Sequence, residues 1–295
     1  MTAPARIAGF AGALLLVGGA AALAGAAADP RGPDPERRPA HERPGEDTAG
    51  MTMDRSAPHE GPAAPGLGVA AGGYRLQTLR MRFTAGEDRR LAFRIVGRDG
   101  ATVRRFDVAH AKRMHLVVVR RDLQSFQHLH PRMDRDGTWS VQADLPAGGV
   151  YRMYADFQVG GAKTALGQDV HVAGQYRPRG LAAASRSSRA GGAYDVVLDA
   201  GGARSGRTGH LSFTVRRHGR TLTGVQPYLG ARGHLVALRE GDLAYLHTHP
   251  ERETRTRGPI GFGVAYPSAG RYRLFLQFRD RGRVRTAAFT QEVAR

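Results

Sequence analysis

The chain contains no cysteine among its 295 residues. Without thiols it forms no disulfides, carries no lipid on a cysteine and binds no metal through thiolates. A metal site in this protein would therefore have to use histidine, carboxylate or methionine side chains.

Lysine is almost absent as well. Of the 44 basic residues only Lys112 and Lys163 are lysines, and the arginines are scattered along the chain. Together with heavy use of alanine and glycine, this skew indicates a compositional bias rather than a binding patch, although the formal net charge is +18. Zinc-finger, helix-turn-helix and RNA-binding motifs are missing, so we expect no nucleic-acid partner.

Two signatures of enzymes are also lacking. The sequence has no Gly-x-Ser-x-Gly nucleophile motif and no Gly-x4-Gly-Lys phosphate loop.

The sequence also has no long stretch with a helical period. From Tyr74 onward it consists of apolar runs of four to seven residues separated by turn signals, which predicts an all-β fold.

The N-terminus has the layout of an export segment. Arg6 precedes an uncharged apolar run from Ile7 to Ala28, which ends in small residues. This pattern predicts a signal peptide over residues 1–28, and the length of the run equally suits an uncleaved membrane anchor. In both cases the rest of the protein is extracytoplasmic, secreted or membrane-anchored.

Residues 29–73 are rich in proline, glycine and charge and have no hydrophobic period. They offer too little apolar surface to offset the entropy of ordering, so they are predicted to form a disordered tether. Beyond them the chain repeats itself. The stretch from Met114 to Pro131 matches the stretch from Gly233 to Pro250 without a gap, at a shift of 119 residues.

This duplication predicts two tandem immunoglobulin-like antiparallel β-sandwich domains, over residues 74–174 and 191–295 with a linker at 175–190. A Pro-x-x-Gly-x-Tyr motif supports the sandwich in each copy. It resembles the tyrosine corner, in which a tyrosine hydroxyl bonds to the backbone just upstream, and places that tyrosine at Tyr151 and Tyr272.

Each copy contains the same three histidines. The six are His115, His128 and His130 in the first copy and His234, His247 and His249 in the second. Residues two apart on a strand point to one face, and an antiparallel hairpin that turns after Asp122 places His115 opposite His130. Because neutral imidazoles bind divalent ions of intermediate softness, we predict one metal ion per copy, copper or alternatively zinc.

A structural role is the alternative for these histidines. Val117 and Val119 share the strand face of His115, so that face would equally suit a buried core in which the imidazoles bond to each other or to the backbone. Met114 on the opposite face and Trp139 are expected in the core.

The apolar strand followed by Asp-Leu-x-x-Phe-x-His-x-His-Pro, and then by the Pro-x-x-Gly-x-Tyr strand, resembles exported His-rich β-sandwich proteins of bacterial copper handling. The resemblance implies a copper carrier or buffer whose ligands are the six histidines. We accordingly expect a metal ion as the ligand and an envelope protein as a partner. The N-terminal apolar run adds membrane contact if it stays uncleaved.

Two other functions compete with this one. Gly241, His247, His249 and Glu253 fit the first motif of cupin metalloenzymes, but no histidine near Pro267 completes the second motif. The other alternative is an envelope scaffold or interaction module that binds no metal. Because no acid–base or nucleophilic set repeats in both copies, we expect a carrier rather than an enzyme.

Overall fold

The computed structural model describes residues 64–86, 90–246, 248–251 and 257–295. Every regular element in these ranges is a β-strand, so the all-β prediction is confirmed. Within the same ranges no helix is long and apolar enough to cross a membrane. The predicted signal or anchor segment, most of the tether and His247 lie outside the described residues.

The strands fall into two series that follow the two sequence copies. The first series is β1 (Ala70–Ala71), β2 (Tyr74–Thr78), β3 (Arg82–Thr84), β4 (Arg90–Val96), β5 (Met114–Arg120), β6 (Gln127–Leu129), β7 (Arg132–Met133), β8 (Trp139–Gln142), β9 (Gly149–Val159) and β10 (Ala162–Ala173). The second series is β11 (Ser187–Arg189), β12 (Tyr194–Asp199), β13 (Thr208–Arg217), β14 (Arg220–Thr221), β15 (Gly233–Arg239), β16 (Tyr245–Leu246), β17 (Thr248–Pro250), β18 (Ile260–Ala265), β19 (Gly270–Asp280) and β20 (Arg283–Val293).

The first repeat is a sandwich of sheets ordered β1-β2-β4-β8-β7 and β3-β10-β9-β5-β6. Leu91, Phe93 and Ile95 of β4 are fully buried, whereas the residues between them are partly exposed. Alternate side chains of a strand point to one face, so these three face the other sheet. There they share a buried cluster with Met114 and Trp139, which confirms both as core residues.

The second repeat is built in the same way from sheets ordered β11-β12-β13-β18-β17 and β16-β15-β19-β20, with β14 paired to β13. Leu211, Phe213 and Val215 of β13 alternate inward and pack with Phe262 and Phe289. Two tandem immunoglobulin-like sandwiches are therefore present, as predicted. The domain bounds read from the sequence remain predictions.

Both tyrosine corners form. The Tyr151 hydroxyl donates to the Ala147 carbonyl at 3.0 Å, and the Tyr272 hydroxyl donates to the Ser268 carbonyl at 2.8 Å. Each tyrosine is fully buried, so the hydrogen bond satisfies a hydroxyl that could not reach water.

The histidine hairpin of the first repeat has the predicted register, and the second repeat keeps the equivalent register only up to Leu246. Val117 lies opposite His128 in the pair of β5 and β6, and Ala237 lies opposite Leu246 in the pair of β15 and β16. In the first turn Asp122 accepts two hydrogen bonds from the Arg120 guanidinium, at 2.8 and 2.7 Å. This interaction anchors the turn and thereby places His128 beside β5.

The outer face of β5 is covered by the second repeat. Val117 and Tyr154 of the first repeat share a buried cluster with Val236 and Phe275 of the second. Phe126 stacks on Phe275 with ring centres 4.0 Å apart and planes inclined by 8°. The strand face that carries His115 is therefore buried against another domain rather than exposed to solvent.

Residues 64–68, which we call the strap, bind to both repeats. The Gly66 amide donates to the Ala165 carbonyl at 3.1 Å, and the Tyr245 amide donates to the Pro65 carbonyl at 3.0 Å. Arg152 donates to the Gly66 carbonyl at 2.6 Å. The composition of residues 29–73 predicts disorder, but the strap is held through its backbone, which composition does not reveal.

Candidate metal centre

His115 and His128 meet at the domain interface. His115 lies on β5 and is 4 % exposed, and His128 lies on β6 and is 9 % exposed. The hairpin register brings His115 Nδ1 to 3.0 Å from His128 Nε2. The two ring nitrogens thus form the centre of the candidate site.

The third member of the group comes from the other repeat. His234 on β15 stacks on both rings, with centres 5.7 Å from His115 and 4.6 Å from His128. Ligand nitrogens of these three side chains all lie within 4.8 Å of one another. The structure therefore assembles one group shared by the two repeats, whereas the sequence predicts a triplet in each copy.

His130 lies next to this group. Its ring centre is 4.9 Å from that of His128 and 5.3 Å from that of His115. Its Nε2 is buried and has no hydrogen-bond partner among the described residues. An unpaired buried nitrogen costs free energy, so His130 is available as an additional ligand.

The second repeat does not contribute its histidines in the same way. His249 is exposed on β17, where it lies opposite Gly263 of β18 in the other sheet. The chain leaves the hairpin sheet after Leu246, so His249 is not part of the three-histidine group found among the described residues. His247, the other predicted ligand, lies outside the described residues.

His110 lies beside the site, and the sequence comparison missed it. Its ring centre lies 6.2 Å from that of His115 and 5.9 Å from that of His234. It occupies a tight turn with a φ of 49°, and the equivalent turn of the second repeat has Leu229 with a φ of 55°. Because the comparison sought histidines present in both copies, this position gave no signal.

The outer nitrogens of the central pair both face oxygen atoms that accept hydrogen bonds. His115 Nε2 lies 3.0 Å from the Ala109 carbonyl, and His128 Nδ1 lies 2.8 Å from Gln277 Oε1. A neutral imidazole has a single N–H, and with Gln277 Oε1 turned toward His128 an oxygen atom takes it in each ring. The two inner nitrogens, 3.0 Å apart, are then left with lone pairs directed at each other.

Burial keeps the cluster neutral. Loss of hydration, together with the neighbouring imidazoles, lowers the pKa of His128 to about 3 and that of His130 to about 4. Burial also lowers the pKa of His115 and of His234. Neutral imidazole is the form that binds metal, so the rings are ready to act as ligands at neutral pH.

A small cavity adjoins His115 and His234. Its volume of about 20 Å³ holds one water molecule or one ion. Asp156 lines it and accepts a hydrogen bond from the Tyr245 hydroxyl at 3.1 Å. Burial raises the pKa of the Asp156 carboxyl, and the electrostatic interaction with His115 opposes that rise.

Other acidic side chains that follow the histidine motifs lie elsewhere or outside the described residues. Asp134 accepts hydrogen bonds from the amides of Asp136 and Thr138, so it stabilises a turn. Glu251 forms an exposed ion pair with His210. Glu253, which the cupin alternative requires, lies outside the described residues.

Comparison with known proteins identifies a family. The family described as "Domain of unknown function (DUF8832)" matches residues 69–174 and again residues 188–295. No curated protein matches the chain significantly.

Several solved structures are similar to this chain at a low level. The Escherichia coli adhesin FdeC is 14% identical with a TM-score of 0.26, over 77% of this chain and 65% of that one. Escherichia coli alpha-2-macroglobulin is 14% identical with a TM-score of 0.26, over 75% and 20%. Domains 4 and 5 of the S-layer protein SbsC are 9% identical with a TM-score of 0.24, over 75% and 98%. The chain spans less than two thirds of the first two, and likeness at this level carries no function across.

Proposed function

This chain belongs to the DUF8832 family, whose domain it contains twice, and we propose that it is an extracytoplasmic metal-binding protein, a carrier or buffer of copper. One ion would bind among His115, His128 and His234, with His130 as an additional ligand. The location outside the cytoplasm rests on the export pattern of residues 1–28.

The observation that carries this proposal is the close approach of His115 Nδ1 and His128 Nε2. With Gln277 Oε1 turned toward His128, both rings donate their N–H to an oxygen atom, and the two nitrogens that keep lone pairs stand 3.0 Å apart. Histidines that bind metal ordinarily donate their other N–H to a carbonyl or carboxylate oxygen, which orients the ring. A cation between the two nitrogens would turn a repulsive contact into an attractive one.

The spacing also suits a metal. Nitrogen ligands at about 2.0–2.1 Å from a tetrahedral ion stand roughly 3.3 Å from each other. The central nitrogens are within a few tenths of an ångström of that value, and His234 is near enough to complete the set by a small side-chain movement. Imidazole donors accept both Cu²⁺ and Zn²⁺, and the choice of copper follows from the resemblance to copper-handling sandwiches.

A role as a carrier fits the surroundings of the group. The three ligands are held on strands of two packed domains, and the carboxylate beside them, Asp156, already accepts the Tyr245 hydroxyl. In this proposal the histidines bind and release an ion, and no residue of the group is assigned a step of bond making or breaking.

Titration of the purified protein with Cu²⁺ and Zn²⁺, followed by elemental analysis after dialysis, tests the proposal. We expect one ion per chain, because the structure forms one shared group. Two ions per chain would favour the independent triplets predicted from sequence, and protein that retains no metal would contradict the proposal.

The second candidate is an interaction or scaffold module that binds no metal, and one contact favours it. If the Gln277 amide is rotated, its NH₂ group donates to His128 Nδ1 and its oxygen accepts from the Thr286 hydroxyl, which lies 3.3 Å from the amide. His128 Nε2 then donates to His115 Nδ1. All four ring nitrogens of the pair are hydrogen-bonded in this arrangement, and no cation is needed. The histidines would in this case join the two domains.

Substitution at Gln277 separates the two candidates. In the metal site Gln277 accepts the His128 N–H, so Gln277→Met should lower Cu²⁺ affinity about 10–100-fold, while Gln277→Glu, which keeps the acceptor, should retain it. Isothermal titration of both variants gives these affinities. If Cu²⁺ affinity is the same in all three proteins and Gln277→Met lowers only thermal stability, the hydrogen-bonded scaffold is correct.

A further inference from the structure

The two lysines of the chain lie at the same place. Lys112 and Lys163 both line the small cavity beside His115 and His234, although 42 of the 44 basic residues are arginines. Lys112 is on the loop just before β5, and Lys163 is on β10, so separate elements bring them to one opening.

The charges around this cavity favour an anion. Lys112, Lys163 and Arg113 supply three positive charges, and Asp156 supplies one negative group, which is bonded to the Tyr245 hydroxyl. Both lysines are exposed, so their side chains are hydrated. This excess of positive charge around the cavity repels a free cation and attracts a negatively charged ligand.

The proposed metal ion would give that ligand a second point of attachment. His115 and His234 belong to the proposed metal group and also line the cavity, which has room for one atom of the size of a water oxygen. A metal held by protein ligands on one side can take an external ligand on an open side.

We propose that this cavity takes a small inorganic anion, which binds the metal ion at His115 and His234 and is attracted by Lys112 and Lys163. The inference rests on the proposed metal site and adds a ligand class to it. The anion completes the coordination of the metal and offsets part of the charge that the ion brings into a buried site.

Lysine suits this role better than arginine. An ammonium group is a compact charge on a flexible stem, whereas guanidinium is a planar fork that matches carboxylate and phosphate geometry. A cavity with room for one atom therefore fits a monatomic anion or one end of a linear anion.

Azide is a suitable probe because it is linear and anionic, and its binding to Cu²⁺ produces a charge-transfer absorption. The full chain loaded with Cu²⁺ is titrated with azide alongside the variants Lys112→Met/Lys163→Met and Lys112→Arg/Lys163→Arg. We expect the methionine pair to weaken azide binding about tenfold or more, and the arginine pair to keep it within about threefold. Arg283→Met, at an exposed position on β20, serves as the matched control and should leave azide affinity unchanged.

The Cu²⁺ affinity of the same variants provides the second measurement. Removing two positive charges should leave Cu²⁺ affinity unchanged or raise it, because like charges no longer repel the ion. Equal azide affinity in the wild type and the methionine pair, with Cu²⁺ bound in both, would overturn the anion site and leave the metal site standing. Wild-type protein that binds no Cu²⁺ would overturn both proposals.

Discussion

Replacing His234 alone with alanine should lower Cu²⁺ affinity by on the order of a thousand-fold, although His115, His128 and His130 of the first repeat stay in place. The reason is geometric. His234 stacks on His115 and His128 from the opposite domain, and the three ligand nitrogens form one group. Loss of a ligand lowers metal affinity by more than the 10–100-fold that is typical when a residue that only orients a ligand is replaced.

Competition against a chromophoric copper chelator measures this affinity. His171→Ala/His218→Ala is the matched control, because both histidines are exposed and lie outside the three-histidine group of the described residues. Independent triplets would give a different result, in which His234→Ala removes half of the bound metal and leaves a full-strength site in the first repeat.

Acidification should destabilise the metal-free protein well before its carboxylates are protonated. The pKa of His128 falls from about 6.5 to about 3 on burial. Above pH 6.5 the ring is neutral in the folded and unfolded states, so it makes no difference to stability. Below that pH the unfolded chain takes up a proton that the folded protein excludes, and the free energy of unfolding falls until the pH reaches the folded pKa.

The loss from His128 alone is about 2 kcal/mol between pH 7.5 and pH 5, and about 5 kcal/mol at its limit. His115, His130 and His234 change stability in the same direction, because burial lowers the pKa of each. Asp156 acts in the opposite direction, since burial raises its pKa.

Urea unfolding at the two pH values, in the wild type and in His128→Gln, isolates this contribution. Glutamine does not titrate, so the difference in stability between pH 7.5 and pH 5 should shrink by about 2 kcal/mol in the variant. If the variant and the wild type lose the same stability between these pH values, His128 is not buried as a neutral ring.

The same lowered pKa values change the expected pH range of metal binding. An ordinary imidazole predicts that protons displace the metal below about pH 6. With folded pKa values of about 3 for His128 and about 4 for His130, protons compete with the metal at a lower pH. Release in mild acid would then follow separation of the two domains rather than protonation of the intact site.

Several features of this protein were determined by the sequence alone. The shift of 119 residues predicted two copies of one domain, and the alternation of apolar residues predicted strands. The hairpin turn expected after Asp122 predicted the register of the first repeat, which the pairing of Val117 with His128 confirms. Tyr151 and Tyr272 form the expected corners. These features depend on local periodicity and short spacing, which sequence expresses directly.

Only the tertiary structure decided what covers the histidine face. Alternation shows that His115 and Val117 share a face, but it does not show that the second domain packs on it and brings His234 to the group. Alternation likewise did not reveal that His110 lies beside the group on a turn, or that His249 lies in the other sheet. Apolar burial is driven by area and has no preferred direction, so a face's partner depends on how two whole domains fit together.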